Sequence, residues 1–322
     1  MGSQLAKELL LGGCHVVGVD DLSGGYLDNV PKGVEFYEAD ICDFTNNLKV
    51  LKGVDVVFHM AAHAYDGLSV FSPSAITKNV YSGTMALCSA SVENEVRRFV
   101  FCSSMARYGS IEGPFSEDQA PKPVTPYGVA KYAAELSLSS LSAAHGMEYS
   151  ICVPHNIYGP QQKYDDPYRN VVAIMINRML QGEQPVLYGG GRQKRCFSFV
   201  KDCLQVLPQL GFDRRAKGEI YNIGPDEEEV TLLQLAQEIA NIIDFSLDPI
   251  LLPERPQDVM HANCSSQKIR NTFGYQTTFN LREGLIEMIE WVQRRGPKPF
   301  VYEREIEIKN HQLPKTWREQ IF

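Results

Sequence analysis

The sequence predicts an α/β protein with a doubly wound parallel sheet and a smaller C-terminal lobe. Two observations carry this prediction: five short apolar, β-branched runs lie in the first half of the chain, and segments with helical periodicity separate them. Strands that are buried on both faces have near-continuous apolar sequences, and strands that alternate with helices form parallel sheets with right-handed crossovers. The 322 residues suffice for two domains, or for one large unit with an added lobe.

The elements of the first half follow from these patterns. We expect strands at residues 15–19, 34–38, 54–60, 97–102 and 149–153. We expect helices at residues 4–11, 76–93 and 127–144. The predicted order is a helix, a strand, a short segment and two strands, followed by helix, strand, helix and strand, as in a doubly wound sheet.

The pattern loosens after about residue 160. Residues 158–170 are rich in Tyr, Asp, Pro and Gln and predict a loop before an amphipathic helix at 171–181. The later predictions are a glycine-rich turn at 188–195, a strand at 196–200, helices near 232–243 and 281–295, and an exposed tail to Phe322. We therefore assign residues 1–160 to a first domain and 161–322 mainly to a C-terminal lobe, with parts of 185–225 returning to the sheet.

Composition excludes several classes of function. The chain has 31 Lys and Arg against 39 Asp and Glu, scattered along its length, which argues against binding to nucleic acid or to a membrane surface. Its eight cysteines include no CxxC pair, so we expect reduced thiols, a cytoplasmic location and no metal site. No apolar run reaches the roughly 18 residues of a spanning helix, and the N-terminal residues lack the long apolar segment of a secretion signal.

One pair of residues predicts acid–base chemistry. Tyr127 and Lys131 lie one turn apart on the same face of a predicted helix. An ammonium beside a phenol lowers the pKa of the phenol toward the range in which it acts as a general base. Ser104 follows the strand at 97–102, and ligands of parallel sheets bind outside the carboxyl ends of the strands, where a serine can hydrogen-bond the same hydroxyl. The spacing alone also occurs in ordinary surface pairs.

The segments around these residues resemble a known family. FCSSMARYG (101–109) and TPYGVAK (125–131) are similar to motifs of the extended short-chain dehydrogenase/reductases that act on nucleotide sugars, such as UDP-glucose 4-epimerases, 4,6-dehydratases and decarboxylases. Further similar segments, from residue 2 to about 275, are VVGVDDLSGG (16–25), EADICD (38–43), VDVVFHMAA (54–62), PHNIYGPQQ (154–162), YGGGRQKRCFSFVKD (188–202) and RPQDV (255–259). The resemblance implies that the first domain is Rossmann-like and binds NAD, and that the C-terminal lobe binds the substrate.

The resemblance also implies roles for individual residues. Tyr127 would be the base, Lys131 would lower its pKa and hold the nicotinamide ribose, and Ser104 would hydrogen-bond the same hydroxyl. Asp20 would accept both hydroxyls of the adenosine ribose, which favours NAD over its 2′-phosphorylated form, although a strand-end Asp also caps turns. The other implied cofactor contacts are Gly2, Asp40, Ile41, Met60, Ala61, Ala62, Asn79 and Pro154. The implied substrate contacts are Ser104, Met105, Asn156, Arg195, Arg255, Asp258 and Ala262.

The N-terminal segment departs from the family pattern. The family begins with a strand and a GxxGxxG turn whose N–H groups bind the pyrophosphate, whereas this sequence starts at Met1 and Gly2, where the third glycine belongs. Because that strand is central in the sheet, its absence predicts two unpaired backbone ladders and little or no NAD binding by the chain as written. We expect the genomic start to lie about 10–15 residues upstream.

The residues after Ser104 favour one reaction type. Dehydratases and decarboxylases of the family carry an acid there, but this chain has Met105 and Ala106. We therefore expect a 4-epimerase that acts on a UDP-hexose or UDP-N-acetylhexosamine through a transient 4-keto intermediate. The resemblance places Ala262 at the position where a residue of the epimerases bounds the C2 side of the sugar. Because alanine is small, this implies that an N-acetyl group is accepted. The alternatives are a dehydratase with an acid from elsewhere, or a truncated paralogue that only binds nucleotide sugars; the resemblance also implies a homodimer.

Overall fold

The computed structural model describes residues 1–111, 113–255 and 259–322. The α-helices are α1 (Gly2–Leu11), α2 (Phe44–Val50), α3 (Asp66–Ser69), α4 (Pro73–Thr77), α5 (Gly83–Glu93), α6 (Pro126–His145), α7 (Val171–Leu180), α8 (Val200–Leu204), α9 (Leu207–Phe212), α10 (Leu232–Ile243), α11 (Gln267–Phe273), α12 (Leu281–Arg295) and α13 (Lys315–Arg318). The strands are β1 (Val17–Asp20), β2 (Glu35–Glu38), β3 (Val56–His59), β4 (Arg98–Cys102), β5 (Glu148–Pro154), β6 (Ile157–Tyr158), β7 (Val186–Tyr188), β8 (Lys194–Arg195), β9 (Ser198–Phe199), β10 (Ile220–Ile223), β11 (Val230–Thr231), β12 (Ile250–Leu252) and β13 (His261–Ala262).

Four parallel strands form the main sheet, in the order β10-β5-β4-β3. All five residues of β4 are buried, as its nearly continuous apolar sequence predicts for a strand covered on both faces. The predicted α/β architecture with a parallel sheet is therefore confirmed. Strand β10 pairs with β5 although it follows 66 residues after it in the chain, so the segment near 220 lies in this sheet. The domain boundary at residue 160 stays a prediction.

The strands of the first half are divided between two sheets. Strands β1 and β2 form a separate parallel pair. No strand of the described ranges lies between β1 and β3, so their facing edges are unpaired, as the N-terminal sequence predicts. Three of the four residues of β2 are exposed, so the prediction that this strand is buried on both faces is wrong.

Helix α6 places Tyr127 and Lys131 beside the carboxyl ends of β4 and β5. Thr125 caps the helix by accepting a hydrogen bond from the Gly128 amide at 3.1 Å, and Pro126 occupies the first turn, where no amide donor is needed. The helix ends at Gly146 in the left-handed conformation. The predicted helix at 76–93 is instead divided into α4, a π-helical turn at Lys78–Ser82 and α5.

The C-terminal part packs around α7, α10 and α12, whose apolar faces form one buried cluster. The chain then returns toward the main sheet, and Leu313, Thr316 and Trp317 are buried. The Trp317 ring packs edge-on against Phe71, and its Nε1 donates to the Pro167 carbonyl at 3.2 Å. The prediction of an exposed tail is therefore wrong for this segment, since its large apolar side chains are covered by distant elements.

Candidate active site

A cleft of about 1220 Å³ lies at the carboxyl ends of the strands of the main sheet. This is more than the roughly 300–1,000 Å³ of a pocket for one small ligand. Its walls come from both halves of the chain and include residues after β1, β3, β4 and β5 together with residues of the C-terminal segment. The position agrees with the general rule that ligands of parallel sheets bind outside the carboxyl ends of the strands.

The structure brings the three predicted catalytic residues together at this cleft. Tyr127 lies in the first turn of α6, and its side chain hydrogen-bonds that of Ser104, which follows β4. Lys131 lies one turn further along α6, with its Nζ 5.9 Å from the centroid of the Tyr127 ring. The ammonium donates to the Cys102 carbonyl at the end of β4, at 2.7 Å. A phenol, a hydroxyl and an ammonium therefore converge at the end of one strand.

The electrostatics of Tyr127 differ from the prediction. Burial raises the pKa of Tyr127 above its ordinary value, and the hydrogen bond with Ser104 only partly opposes this shift. Burial also lowers the pKa of Lys131. The expected net lowering of the Tyr127 pKa is wrong for this structure, because the loss of water around a buried phenol outweighs the groups that favour its anion.

Three residues that were not among the predicted site residues support Tyr127. The Ser69 hydroxyl accepts a hydrogen bond from the Tyr127 amide at 3.1 Å. The Thr125 hydroxyl donates to Asp66 Oδ1 at 2.5 Å, which brings a carboxylate to the start of α6. The sequence Thr-Pro-Tyr is a helix N-cap signal that could have found Thr125. No local pattern marks Asp66 or Ser69, whose elements lie 58 or more residues away from their partners.

A buried ion pair lies behind Lys131. Glu135, the next residue on the same face of α6, accepts a hydrogen bond from the Ser103 hydroxyl. The same carboxylate lies 3.1 Å from an Nη of Arg107, and both side chains are almost completely buried. The pair ties α6 to the segment that follows β4, and so holds Ser104 and Lys131 at fixed relative positions.

The predicted cofactor residues mostly line the cleft. Those that do are Gly2, Asp20, Ile41, Met60, Ala61, Ala62, Asn79 and Pro154, together with Tyr127 and Lys131. Asp20 also accepts a hydrogen bond from the Leu22 amide at 2.7 Å, so it caps a turn as well as facing the cleft. Asp40 is not among the residues around the cleft, and its carboxylate accepts a hydrogen bond from the Cys42 amide at 2.8 Å. Its place beside the adenine stays a prediction.

The predicted substrate residues gather on the C-terminal side of the cleft. Ser104, Met105, Asn156, Arg195, Arg255 and Ala262 line it, while Asp258 lies outside the described residues. The Asn156 amide donates to the Cys196 carbonyl at 2.8 Å. Ala262 is buried on β13, directly beside Arg195 of β8. Both are therefore held by the small sheet of β8, β11 and β13.

The C-terminal segment supplies a wall that the sequence did not predict. Thr316, Trp317 and Phe322 line the cleft. The Thr316 hydroxyl lies 2.7 Å from the Tyr188 hydroxyl, and the Arg255 guanidinium lies 4.9 Å from the centroid of the Tyr188 ring. The tail thus contacts the residue on which the predicted anion-binding Arg255 packs.

All eight cysteines are free thiols. In the part of the chain that the structure describes, no group of His, Cys, Asp and Glu side chains has the arrangement of a metal site. The helices of the same part are too short or too polar to cross a membrane.

Comparisons with known proteins identify the family. Residues 1–224 match the profile of the NAD dependent epimerase/dehydratase family. The UDP-glucose 4-epimerase of Mycolicibacterium smegmatis is 32% identical over 311 residues, which cover 92% of this chain and 96% of that protein. The dTDP-glucose 4,6-dehydratase of Streptomyces niveus is 29% identical over 305 residues, which cover 90% of this chain and 89% of that protein.

A solved structure shows the same fold. The crystal structure of UDP-glucose 4-epimerase with UDP-glucose from Thermotoga maritima superposes with a TM-score of 0.85 at 30% identity and covers 91% of this chain and 96% of that chain. Epimerases and dehydratases are thus similar to this chain to nearly the same degree, so the reaction type must be argued from the site.

Proposed function

Because this chain belongs to the NAD-dependent epimerase/dehydratase family of the short-chain dehydrogenase/reductases, we propose that it is an NDP-sugar 4-epimerase that acts on a UDP-hexose or a UDP-N-acetylhexosamine. The family makes NAD the cofactor and a nucleotide sugar the substrate class. The choice of epimerisation is the proposal, and it rests on the residues that follow Ser104.

The observation that supports epimerisation is that neither of the two residues after Ser104 is an acid. Ser104 is followed by Met105 and Ala106, and both side chains line the cleft. A dehydration needs an acid and a base to eliminate water, in addition to proton transfer at the sugar hydroxyl. A 4-epimerisation needs only the oxidation of C4, a turn of the resulting ketone and its reduction from the other face. An apolar and a small residue at these positions favour the second reaction.

The residues of the cleft fit NAD. The Nε of Arg169 is buried without a hydrogen-bond partner, and its guanidinium lies against the loops that follow β1 and β3. In our proposal Asp20 holds the adenosine ribose, Ala61 and Ala62 give the dinucleotide room, and Lys131 holds the nicotinamide ribose. NAD, when bound, takes a hydride from C4 of the sugar and returns it.

Tyr127 performs the proton transfer in this proposal. Its phenolate accepts the proton of the sugar O4 hydroxyl while C4 is oxidised, and its phenol returns the proton when the ketone is reduced. Ser104 hydrogen-bonds the same oxygen and the Lys131 ammonium stabilises the phenolate by charge. Burial raises the pKa of Tyr127, and the hydrogen bond with Ser104 opposes this shift. In our proposal the charge of Lys131 adds to that opposing stabilisation.

The C-terminal side of the cleft is proposed to bind the nucleotide diphosphate. Guanidinium groups match the oxygens of a diphosphate in pairs, which suits Arg195 and Arg255. Asn156 is held by its hydrogen bond to the Cys196 carbonyl and would add an amide contact.

Product analysis tests the proposal. The protein is incubated with UDP-, GDP- and TDP-sugars, and the products are identified by NMR; acid release measures NAD in the purified protein. We expect interconversion of C4 epimers of a UDP-sugar. A 6-deoxy-4-keto product would instead identify a dehydratase, and no product without releasable NAD would identify a protein that only binds nucleotide sugars.

One observation favours dehydration as a second candidate. The Asp66 carboxylate is close enough to Tyr127 to oppose its ionisation. The same carboxylate accepts a hydrogen bond from the Thr125 hydroxyl. If Asp66 were the acid of a dehydratase, Asp66→Asn would lower kcat by about 10²–10⁴-fold. For an epimerase we expect a much smaller loss, because Asn retains an oxygen for the Thr125 hydroxyl. Steady-state rates of both proteins with UDP-glucose and dTDP-glucose distinguish the two outcomes.

Substrate size gives a further expected result. Ala262 is buried beside Arg195 and faces the cleft, so we expect that a UDP-N-acetylhexosamine is accepted. Ala262→Tyr should selectively lower kcat/KM for UDP-N-acetylglucosamine, because overpacking costs about 1–3 kcal/mol or more. The ratio of kcat/KM for UDP-glucose and UDP-N-acetylglucosamine is measured for both proteins. Equal losses on the two substrates would refute this pocket, since Ala262 also packs in the core around Phe115 and Cys264.

We also propose a cytoplasmic homodimer. The free thiols agree with a reducing compartment. Val129 and Leu136 of α6 are 51% and 56% exposed, which provides apolar contacts for pairing of α5 and α6 with a second copy. Light scattering after size-exclusion chromatography measures the mass in solution.

A further inference from the structure

We propose that Arg169, in the loop before α7, is the main side chain that binds the diphosphate of the cofactor. The inference rests on the proposed function only through NAD as the cofactor, and it is independent of the reaction type. Among the residues that the family resemblance places at the cofactor, only Lys131 carries a positive charge. Its ammonium already donates a hydrogen bond to the Cys102 carbonyl.

The guanidinium bridges two loops at the carboxyl ends of strands. Its Nη1 donates to the Gly24 carbonyl in the loop after β1 at 3.1 Å, and its Nη2 donates to the Ala62 carbonyl after β3 at 3.5 Å. Strands β1 and β3 are not paired with each other, so Arg169 spans the opening between them. A residue of the C-terminal half of the chain thus reaches over the predicted cofactor path.

The positive charge of Arg169 is incompletely paired. Its side chain is only 16% exposed, and its Nε is buried without a hydrogen-bond partner. The nearest carboxylate oxygen, on Asp166, lies 3.8 Å from this Nε, and the same oxygen accepts the Tyr65 hydroxyl at 2.6 Å. A buried cation without full pairing is costly. An anion that enters the cleft would give the guanidinium a closer charged partner than Asp166.

The position along the cleft selects the diphosphate among the parts of NAD. Burial raises the pKa of both Asp20 and Tyr127, and Arg169 is close enough to oppose each shift. The adenosine ribose is assigned to Asp20, and the reacting end of the cofactor must lie near Tyr127. The diphosphate joins these two ends, so a cation within reach of both residues lies beside it.

Gly24 provides the space for this arrangement. A Cβ at Gly24 would lie 2.6 Å from Nη2 of Arg169, which is the end of a flexible side chain. Gly24→Ala is therefore expected to fold and to displace the guanidinium. It supplies a second variant that moves the charge without removing it.

Arg304 supplies a matched control. The guanidinium groups of Arg169 and Arg304 each lie 5.4 Å from the centroid of the Tyr65 ring. Arg304 donates a hydrogen bond to the Ser23 carbonyl at 3.0 Å, and Arg169 donates to the carbonyl of the next residue, Gly24. Both arginines thus hold the same tyrosine and the same loop, but only Arg169 lines the cleft.

Calorimetric titration with NAD, ADP, adenosine and UDP tests the inference. For Arg169→Gln we expect binding of NAD and ADP to weaken by about 10- to 100-fold, the usual loss for a hydrogen bond between charged groups. Adenosine and UDP should bind as to the unaltered protein. Gly24→Ala should change NAD and ADP binding in the same direction, and Arg304→Gln should leave the ratio of ADP to adenosine affinity unchanged. Circular dichroism verifies that each variant is folded.

Several results would overturn the inference. Equal weakening of ADP and adenosine would show that Arg169 only orders the loop, and a selective loss of UDP would assign it to the substrate. Unchanged binding of NAD and ADP in Arg169→Gln, or no binding of either by the unaltered protein, would also refute it. Because no turnover is measured, NAD binding that depends on Arg169 in a protein without epimerase activity would uphold this inference and refute the proposed function.

Discussion

Tyr127→Phe is expected to lower kcat by about 10²–10⁴-fold while the affinity for the nucleotide sugar is retained. The substitution removes one hydroxyl, and with it the group that exchanges a proton with the sugar. The ring stays buried at the start of α6, where the Ser69 contact is to the backbone amide and is preserved. Steady-state rates give kcat, and calorimetric titration of the UDP-sugar gives the dissociation constant.

Tyr132→Phe is the control for this variant. Tyr132 lies on the same helix, beside Arg107, and does not line the cleft. It should turn over at the rate of the unaltered protein. Unaltered rates in Tyr127→Phe, or a parallel loss of UDP-sugar binding, would contradict the assignment of Tyr127 as the base.

Lys131→Met is expected to lower the rate and to move the ascending limb of the pH–rate profile to higher pH. The buried ammonium lies 5.9 Å from the centroid of the Tyr127 ring. In our proposal it favours the phenolate by charge. Removing the charge raises the pKa of Tyr127 further, so a higher pH is needed to form the base. The profile of kcat between neutral and alkaline pH measures the shift.

The same substitution has a structural cost that must be measured separately. The Cys102 carbonyl loses its hydrogen bond from Lys131, and an unpaired buried acceptor costs about 1–3 kcal/mol. Thermal unfolding of the variant at each pH shows whether the protein remains folded over the profile. A lower rate with an unshifted profile in folded protein would contradict the charge role of Lys131.

Local sequence patterns predicted the elements that carry the reaction. Strand β4 is apolar at four of its five positions, and α6 begins at a Thr-Pro cap, so both could be located without knowledge of the fold. Ser104 and Tyr127 could then be brought together by the rule that ligands bind at the carboxyl ends of parallel strands. The resemblance to a family added the roles of these residues, and the family itself is confirmed.

Contacts between distant segments could not be predicted. Arg169 meets Gly24 across 145 residues, and Thr316 meets Tyr188 across 128 residues. Each depends on how the C-terminal segments fold back over the sheet, which no local pattern encodes. The same limit applies to the pKa of Tyr127. The helix spacing indicates the neighbouring charge of Lys131 and so predicts a lower pKa. The burial that raises the pKa depends on the folded chain.

The central claim is that C4 of the sugar is inverted by removal and return of one hydride. UDP-glucose labelled with deuterium at C4 tests this claim most directly, with the product analysed by NMR and mass spectrometry. The account predicts UDP-galactose that retains the deuterium at C4 and has the mass of the substrate. Loss of water with transfer of the deuterium to C6 would contradict it and identify a dehydratase, and recovery of unchanged UDP-glucose alone would contradict it for this substrate.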